Sequence, residues 1–259
     1  MFPSLVNIHP QSAVGKLLRL PLRLLPKQMI VPVLSGINKG NRWRVGASVH
    51  GCWLGVYETS KQHLLQSLVG PGMTIYDVGA NAGFYTLAFS RLVGAGGKIY
   101  AFEPFAENAA NILMHIRLNG CRNTVLYQAA VSDQEGFSSF HVSESNAMGH
   151  LDREGAYRVP TVTLDALIRT FDLPVPDIVK VDVEGAETAV LRGACNLLEM
   201  HRTVWLIALH SDRQRLNCGR ILGEYGYRIY QLNGRELSAQ EIDTDEIYAI
   251  PPQYVERMA

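Results

Sequence analysis

The sequence predicts an α/β fold: a mostly parallel sheet with helices packed on both faces. Two observations carry that reading. From Thr59 onward, short apolar runs rich in Val, Ile and Tyr alternate with segments of helical period, and glycines punctuate the joins. Acidic residues also fall where three of the predicted strands end, at Asp77, Glu103 and Asp182. In such sheets ligands bind beyond the carboxyl ends of the strands, where the strand order reverses.

The elements follow in order. "SKQHLLQSLV" sets Leu64, Leu65 and Leu68 on one helical face and stops at Gly70-Pro71-Gly72. "TIYDVG" reads as a strand, "FYTLAFSRLV" as a helix closed by Gly94, Gly96 and Gly97, and "KIYAFEP" as a second strand. "AENAANILMHIRL" is a helix with Ile112, Leu113 and Ile116 expected inward, ended by Asn119-Gly120, and "TVLYQAAV" is a third strand. Residues 132–163 break the rhythm with "GFSSFHVS" and "YRVPTVT", which predict an inserted β-hairpin. The helix "LDALIRTF" comes next, then the strand "DIVKVDV", one helix over "AETAVLRGACNLLE" and the strand "TVWLIAL". A helix near Arg215–Tyr225 and the strands "YRIYQL" and "EIYAI" close the chain.

Composition narrows the class. The 259 residues are 47% hydrophobic and 19% charged, enough for one large globular domain with a full core. A net charge of zero hides an asymmetry. No Asp or Glu precedes Glu58, whereas Lys16, Arg19, Arg23, Lys27, Lys39, Arg42 and Arg44 do. Residues 1–57 therefore read as a basic, partly helical arm, and 58–259 as the domain proper. "GKLLRLPLRLLPK" matches a basic amphipathic helix kinked at Pro21. Its functional reading is a peripheral contact with anionic lipid or an acidic partner; the expectation is that its leucines pack on the domain or on a second subunit of a homo-oligomer. Cys52, Cys121, Cys195 and Cys218 are scattered without metal-ligand spacing, no signal peptide is evident, and no run approaches a membrane span. A cytoplasmic location is expected. The acidic body carries no basic face with interleaved aromatics, so nucleic acid is not an expected partner.

Gly79 and Gly83 bracket the first strand-to-helix turn, where glycine permits positive φ and close approach to the backbone. The spacing is G-x-x-x-G, not the dinucleotide G-x-G-x-x-G, which disfavours NAD. Glu103 follows Gly79 by 24 residues at the end of the next strand, where a carboxylate can accept hydrogen bonds from the ribose hydroxyls of an adenosine group.

With "DVGANAGFYTLAFS", "GGKIYAFEP", "NILMHIRLNG", "AAVSD", "VTLDAL" and "VKVDVEGAETAVLRGA" in this order, the chain resembles the FkbM-type methyltransferases from about Gly51 to about His210. "KVDVEGAE" together with "AFEP" is the most specific combination. The resemblance implies a Rossmann-like class I methyltransferase sheet of order 3-2-1-4-5-7-6 with the seventh strand antiparallel. It also implies S-adenosylmethionine as cofactor and a hydroxyl of a sugar, polyketide or other secondary metabolite as acceptor. Asp77, Gly79, Asn81 and Gly83 would form the turn around the methionine part, with Ala80 and Thr86 beside them. Glu103 and Pro104 would hold the ribose, and the Ala130–Asp133 loop, with Ser132, would flank the adenine. Glu58 in "GVYE" would reach the cofactor's amino group or cap the next helix with Ser60.

For proton removal from an acceptor the candidates are Asp182, Glu184 and His210. Histidine has the ordinary pKa best suited to the task. Asp182 and Glu184 have a plainer alternative, bonding backbone N–H groups at the next helix start. Asp182, His210 and Asp212 could instead hold a divalent cation, as in catechol-type methyltransferases, but "KVDVEGAE" is not that group's metal pattern and no metal is expected. In the insertion, Asn146 and His150 are candidates for substrate contact. N-methylation of a small amine, or a non-catalytic cofactor-binding module tethered by the arm, are the competing readings.

Overall fold

A short 3-10 turn, Pro21–Leu24, leads into two strands paired antiparallel, β1 (Ile30–Pro32) and β2 (Arg42–Arg44). The computed structural model describes residues 21–142, 149–151 and 157–255. Helices α1 (His50–Leu54) and α2 (Thr59–Leu68) precede the regular alternation of β3 (Thr74–Val78), α3 (Phe84–Val93), β4 (Lys98–Phe102), α4 (Ala106–Asn119) and β5 (Thr124–Tyr127). The chain then passes through β6 (Ala130–Val131), β7 (Gly136–Val142), β8 (Gly149–Leu151) and β9 (Tyr157–Val162). Next come α5 (Leu164–Arg169), β10 (Ile178–Val181), α6 (Glu187–Arg192), α7 (Cys195–Glu199), β11 (Val204–Ala208) and α8 (Asp212–Glu224). Strands β12 (Arg228–Gln231), β13 (Glu236–Leu237) and β14 (Glu246–Ile250) and helix α9 (Pro252–Val255) finish the fold.

The main sheet runs β13-β12-β14-β11-β10-β3-β4-β5, with β14 antiparallel to both neighbours. Without the two-residue edge strand β13, this is the order 3-2-1-4-5-7-6 with its last strand reversed. Alternation along the strands divides two cores. Tyr76, Val78, Val179 and Val181 pack with Leu191, Leu198 and Leu222 on one face. Ile75, Ile99 and Ile178 pack with Leu65, Leu87 and Phe89 on the other. Each fully buried Leu or Ile contributes roughly 1.5–3 kcal/mol.

Four expectations change. Leu113, expected inward on α4 with Ile112 and Ile116, is 43% exposed. "TVLYQAAV" is two strands: β5 ends on the main sheet, and β6 joins a second sheet of order β6-β9-β7-β8, which enlarges the expected hairpin. The helix over "AETAVLRGACNLLE" is broken at Gly193, where an added Cβ would lie 2.0 Å from the Ser132 carbonyl oxygen. Packing also crosses the boundary expected at residue 57. Val33, Ile37, Trp43, Cys52 and Trp53 are buried in the same core as β3 and α3, so residues 30–57 belong to the domain. The segment carries no acidic residue and reads as an arm because its large side chains find their partners only in three dimensions.

His115 of α4 ties that segment to the turn after β3. Its Nδ1–H donates to the Ala82 carbonyl at 2.9 Å, its Nε2 accepts the Arg44 N–H at 3.1 Å, and its ring stacks on Trp43 at 4.0 Å. Burial lowers its pKa to about 4, so the ring stays neutral and keeps both bonds. Among the described residues, no helix is long and apolar enough to cross a membrane.

Candidate active site

The turn after β3 is built from the strand ends beside it. Gly79 has φ +73°, and an added Cβ would lie 1.9 Å from the Asp182 carbonyl oxygen. Its N–H and that of Ala80 both donate to the Phe102 carbonyl at 3.0 Å. The Asn81 N–H donates to Glu103 Oε2 at 2.8 Å, and the Ala82 N–H to Asn81 Oδ1 at 2.6 Å. Below the turn, strand register sets Lys180 opposite Asp77. Lys180 Nζ donates to the Gly79 carbonyl at 2.8 Å and lies 3.2 Å from Asp77 and 3.7 Å from Asp182. The Thr86 hydroxyl donates to Asp77 at 2.6 Å. Burial opposes the charge on Lys180, but the carboxylates of Asp77 and Asp182 outweigh it and hold its pKa above the usual lysine value.

Above the turn lies a cleft of about 590 Å³, a volume suited to a small-molecule ligand. Gly79, Ala80, Asn81, Glu103, Pro104 and Ala130 line it, and so do Glu58, Asp182, Glu184 and His210. Asp77, Gly83, Thr86 and Ser132 do not. Asp77 and Thr86 brace the turn from beneath, Gly83 begins α3 with φ +88° against Ile112, and Ser132 joins the second sheet through its N–H to Val162. Asn146 lies outside the described residues. His150 is placed by its backbone, which pairs with His141 in the second sheet.

Glu103 tests whether the cleft suits an adenosine-bearing cofactor. Its carboxylate is 5% exposed and takes three donors: Asn81 N–H on one oxygen, Phe105 N–H at 3.0 Å and Asn108 Nδ2 at 3.4 Å on the other. An ionised carboxylate offers about four acceptor positions, so capacity remains for a ribose hydroxyl. Burial pushes the carboxyl up to about 7 against those hydrogen bonds. Phe105, Ala129 and Val131 supply an apolar wall beside it for a flat base. The residues fit the group.

The cleft wall beyond the ends of β10 and β11 is charged. His210 Nε2 lies 3.5 Å from both Asp182 and Glu184. Its Nδ1 bonds Glu187 Oε1 at 2.7 Å, and the same oxygen accepts the Gly185 N–H at 2.8 Å. Glu187 is fully buried. The bond to Glu187 is the main reason the His210 pKa is raised, with Glu184 and Asp182 adding to it against burial. Asp182 is held below the usual range: burial would raise it, but Lys180, Lys61 and His210 prevail. Just ahead of the next helix the Gly185 N–H is bonded by Glu187, and in its first turn the Thr188 N–H is bonded by Gln214.

Asp182, Glu184 and His210 present ligand atoms within 4.8 Å of one another, a set able to share a proton or a cation. Asp212 is not part of it, being 95% exposed and paired with Arg215. Glu58 does not cap α2 with its side chain; it accepts from Tyr85 OH at 2.6 Å and pairs with Lys61 at 2.7 Å. Three non-glycine residues on the cleft, Glu58, Asn81 and Glu184, hold positive φ. Such strain concentrates at functional sites.

Lys180, Glu187, Lys61 and Tyr85 were not reached from the sequence. A lysine inside the apolar run "IVKV" and a second acid in "VEGAE" were the available signals, since buried charges require partners.

The sequence matches the family described as Methyltransferase FkbM domain over residues 77–235, more than half of the chain. It is 29% identical over 153 residues to Hexuronic acid methyltransferase AglP of Haloferax volcanii, covering 58% of this chain and 61% of that one. The crystal structure of Methyltransferase FkbM from Methylobacillus flagellatus superposes with a TM-score of 0.50 at 15% identity. That match covers 68% of this chain and 43% of the other, so this chain spans less than two thirds of either relative. Motifs, sheet order and cleft agree: the chain belongs to the FkbM methyltransferase family, with a class I fold and S-adenosylmethionine as its cofactor.

Proposed function

We propose that this chain methylates a hydroxyl of a sugar or of a similarly oxygenated metabolite, with His210 removing the hydroxyl proton. One observation carries the reading. Glu187 engages His210 Nδ1, which leaves Nε2 as the basic nitrogen on the side of Asp182 and Glu184, both on the cleft wall. Bound S-adenosylmethionine supplies an electrophilic methyl group on a sulfonium. The residues would divide the remaining work. Glu103 holds the ribose, the Gly79–Asn81 turn shapes the methionine end, and the carboxylates of Glu58 and Asp182 favour the cofactor's positive charge. His210 takes the proton, and the imidazolium that results is stabilised by Asp182, Glu184 and Glu187. Alignment of acceptor and methyl can supply about 7–11 kcal/mol of barrier lowering.

The likeness to a hexuronic acid methyltransferase supports a sugar acceptor. Uronic acids offer both hydroxyl and carboxylate oxygens, so the test must separate ether from ester. The chain is incubated with S-adenosylmethionine and a panel of uronic acids, neutral sugars, polyketide alcohols and small amines. The expected product gains one methyl and survives mild base, as an ether does. Methylation of amines alone overturns the reading.

Glu103 gives a separate expectation. Ribose hydroxyls donate to the ionised carboxylate, and its carboxyl sits at about 7. Binding therefore favours the deprotonated form, so affinity rises with pH and a proton is released. Between about pH 6 and pH 8, affinity for S-adenosylhomocysteine is expected to rise about tenfold. Calorimetry in buffers of different ionisation enthalpy reads the proton. Glu103→Gln should bind more weakly and show no such slope.

A further inference from the structure

We infer that the β1–β2 ribbon and the segment leading into it dock on the surface of an anionic phospholipid bilayer. Four large apolar side chains are exposed within eleven residues: Leu24 at 84%, Met29 at 44%, Ile30 at 36% and Leu34 at 55%. Residues two apart on a strand share a side. Val31 and Val33 turn into the core, while Ile30 and Pro32 face out and Leu34 continues that alternation. The register sets Ile30 opposite Arg44 and Pro32 opposite Arg42.

The β1–β2 ribbon and the segment leading into it carry charge of one sign. Lys27, Lys39 and Arg42 are exposed, and Arg91 of α3 reaches it by donating to the Lys39 carbonyl at 2.7 Å. No Asp or Glu occurs in the chain before Glu58. Apolar groups with lysine and arginine but no carboxylate suit a headgroup layer, where phosphates meet the cations and acyl chains receive the leucine, isoleucine and methionine. A bilayer accounts for both halves of the pattern. The segment also reaches the cleft, because Ser48 and Val49 line it and Val49 is 49% exposed.

The full chain is co-sedimented with vesicles of phosphatidylcholine alone and with vesicles holding about 30% phosphatidylglycerol. It should pellet with the anionic vesicles only, and about 0.5 M salt should release it. Each basic residue near an anionic surface contributes about fivefold, so Lys27→Glu/Lys39→Glu/Arg42→Glu should weaken partitioning by about a hundredfold or more. Ile30→Ser/Leu34→Ser should weaken it about tenfold. Unchanged S-adenosylhomocysteine affinity in both variants shows that each is folded. Equal binding to both vesicle types, binding to neither, or a charge-reversed variant that pellets like the parent overturns the proposal. Self-association by light scattering that Leu34→Ser abolishes, without vesicle binding, also overturns it and assigns the face to a second copy.

Discussion

His210→Ala is expected to lower kcat by about 10²–10⁴-fold on a true acceptor while leaving S-adenosylhomocysteine affinity within about twofold. The imidazole stands on the cleft wall beside Asp182 and Glu184, and the bonds made by the Asn81 and Ala82 N–H groups of the turn do not involve it. Only the neutral ring can take a proton, and the ring's pKa is raised, chiefly by Glu187. Activity should therefore rise with pH through a value above the ordinary histidine pKa. Glu187→Gln removes the charge that holds up that value and the acceptor that fixes the proton on Nδ1. It should shift the acidic limb to lower pH and also cost kcat, whereas Glu187→Asp should recover part of both. A chelator separates this account from cation binding by Asp182, Glu184 and His210: turnover in EDTA should be unchanged. A normal rate in His210→Ala would remove it as the base.

Gly79→Ala should be the most damaging small change in the cofactor turn. At φ +73° any Cβ is strained, and here it would lie 1.9 Å from the backbone oxygen of Asp182, the residue that follows strand β10 and whose N–H is bonded to the Val78 carbonyl. The left-handed conformation costs about 1–2 kcal/mol and the overpacking about 1–3 kcal/mol more. Thermal unfolding should show that loss, and calorimetry should show little or no cofactor binding. Gly120→Ala is the control. It has φ +64° and ψ 32°, an ordinary left-handed conformation with no atom within 4 Å of an added Cβ, so it should lose about 1 kcal/mol and bind normally. Equal effects at the two positions would mean that contact with Asp182 is unimportant.

Much of the fold was legible in "TIYDVG", "KIYAFEP" and "DIVKVDV" because helix and strand periods are local properties of the chain. Strand breaks were harder. "TVLYQAAV" is uniformly strand-like, and only the pairing of Ala130 with Thr161 shows that its end belongs to another sheet. Half of the site was legible for the same local reason. Glu103 and the Gly79–Gly83 turn lie at strand ends, and their residue types declare what they can bind.

By itself, the sequence determined the α/β alternation, a glycine turn followed by a carboxylate at the next strand end, and a histidine at the end of a later strand. Tertiary structure alone decided how the acids of the site are used. Lys180 meets Asp77 across a strand register joining residues more than a hundred positions apart, and Glu187 reaches His210 from a different element. It also turned an apparent arm into a cleft wall through Trp43, Ser48 and Val49. The reason is physical. A buried charge is tolerated only beside its partner, and that partner is chosen by packing rather than by proximity along the chain.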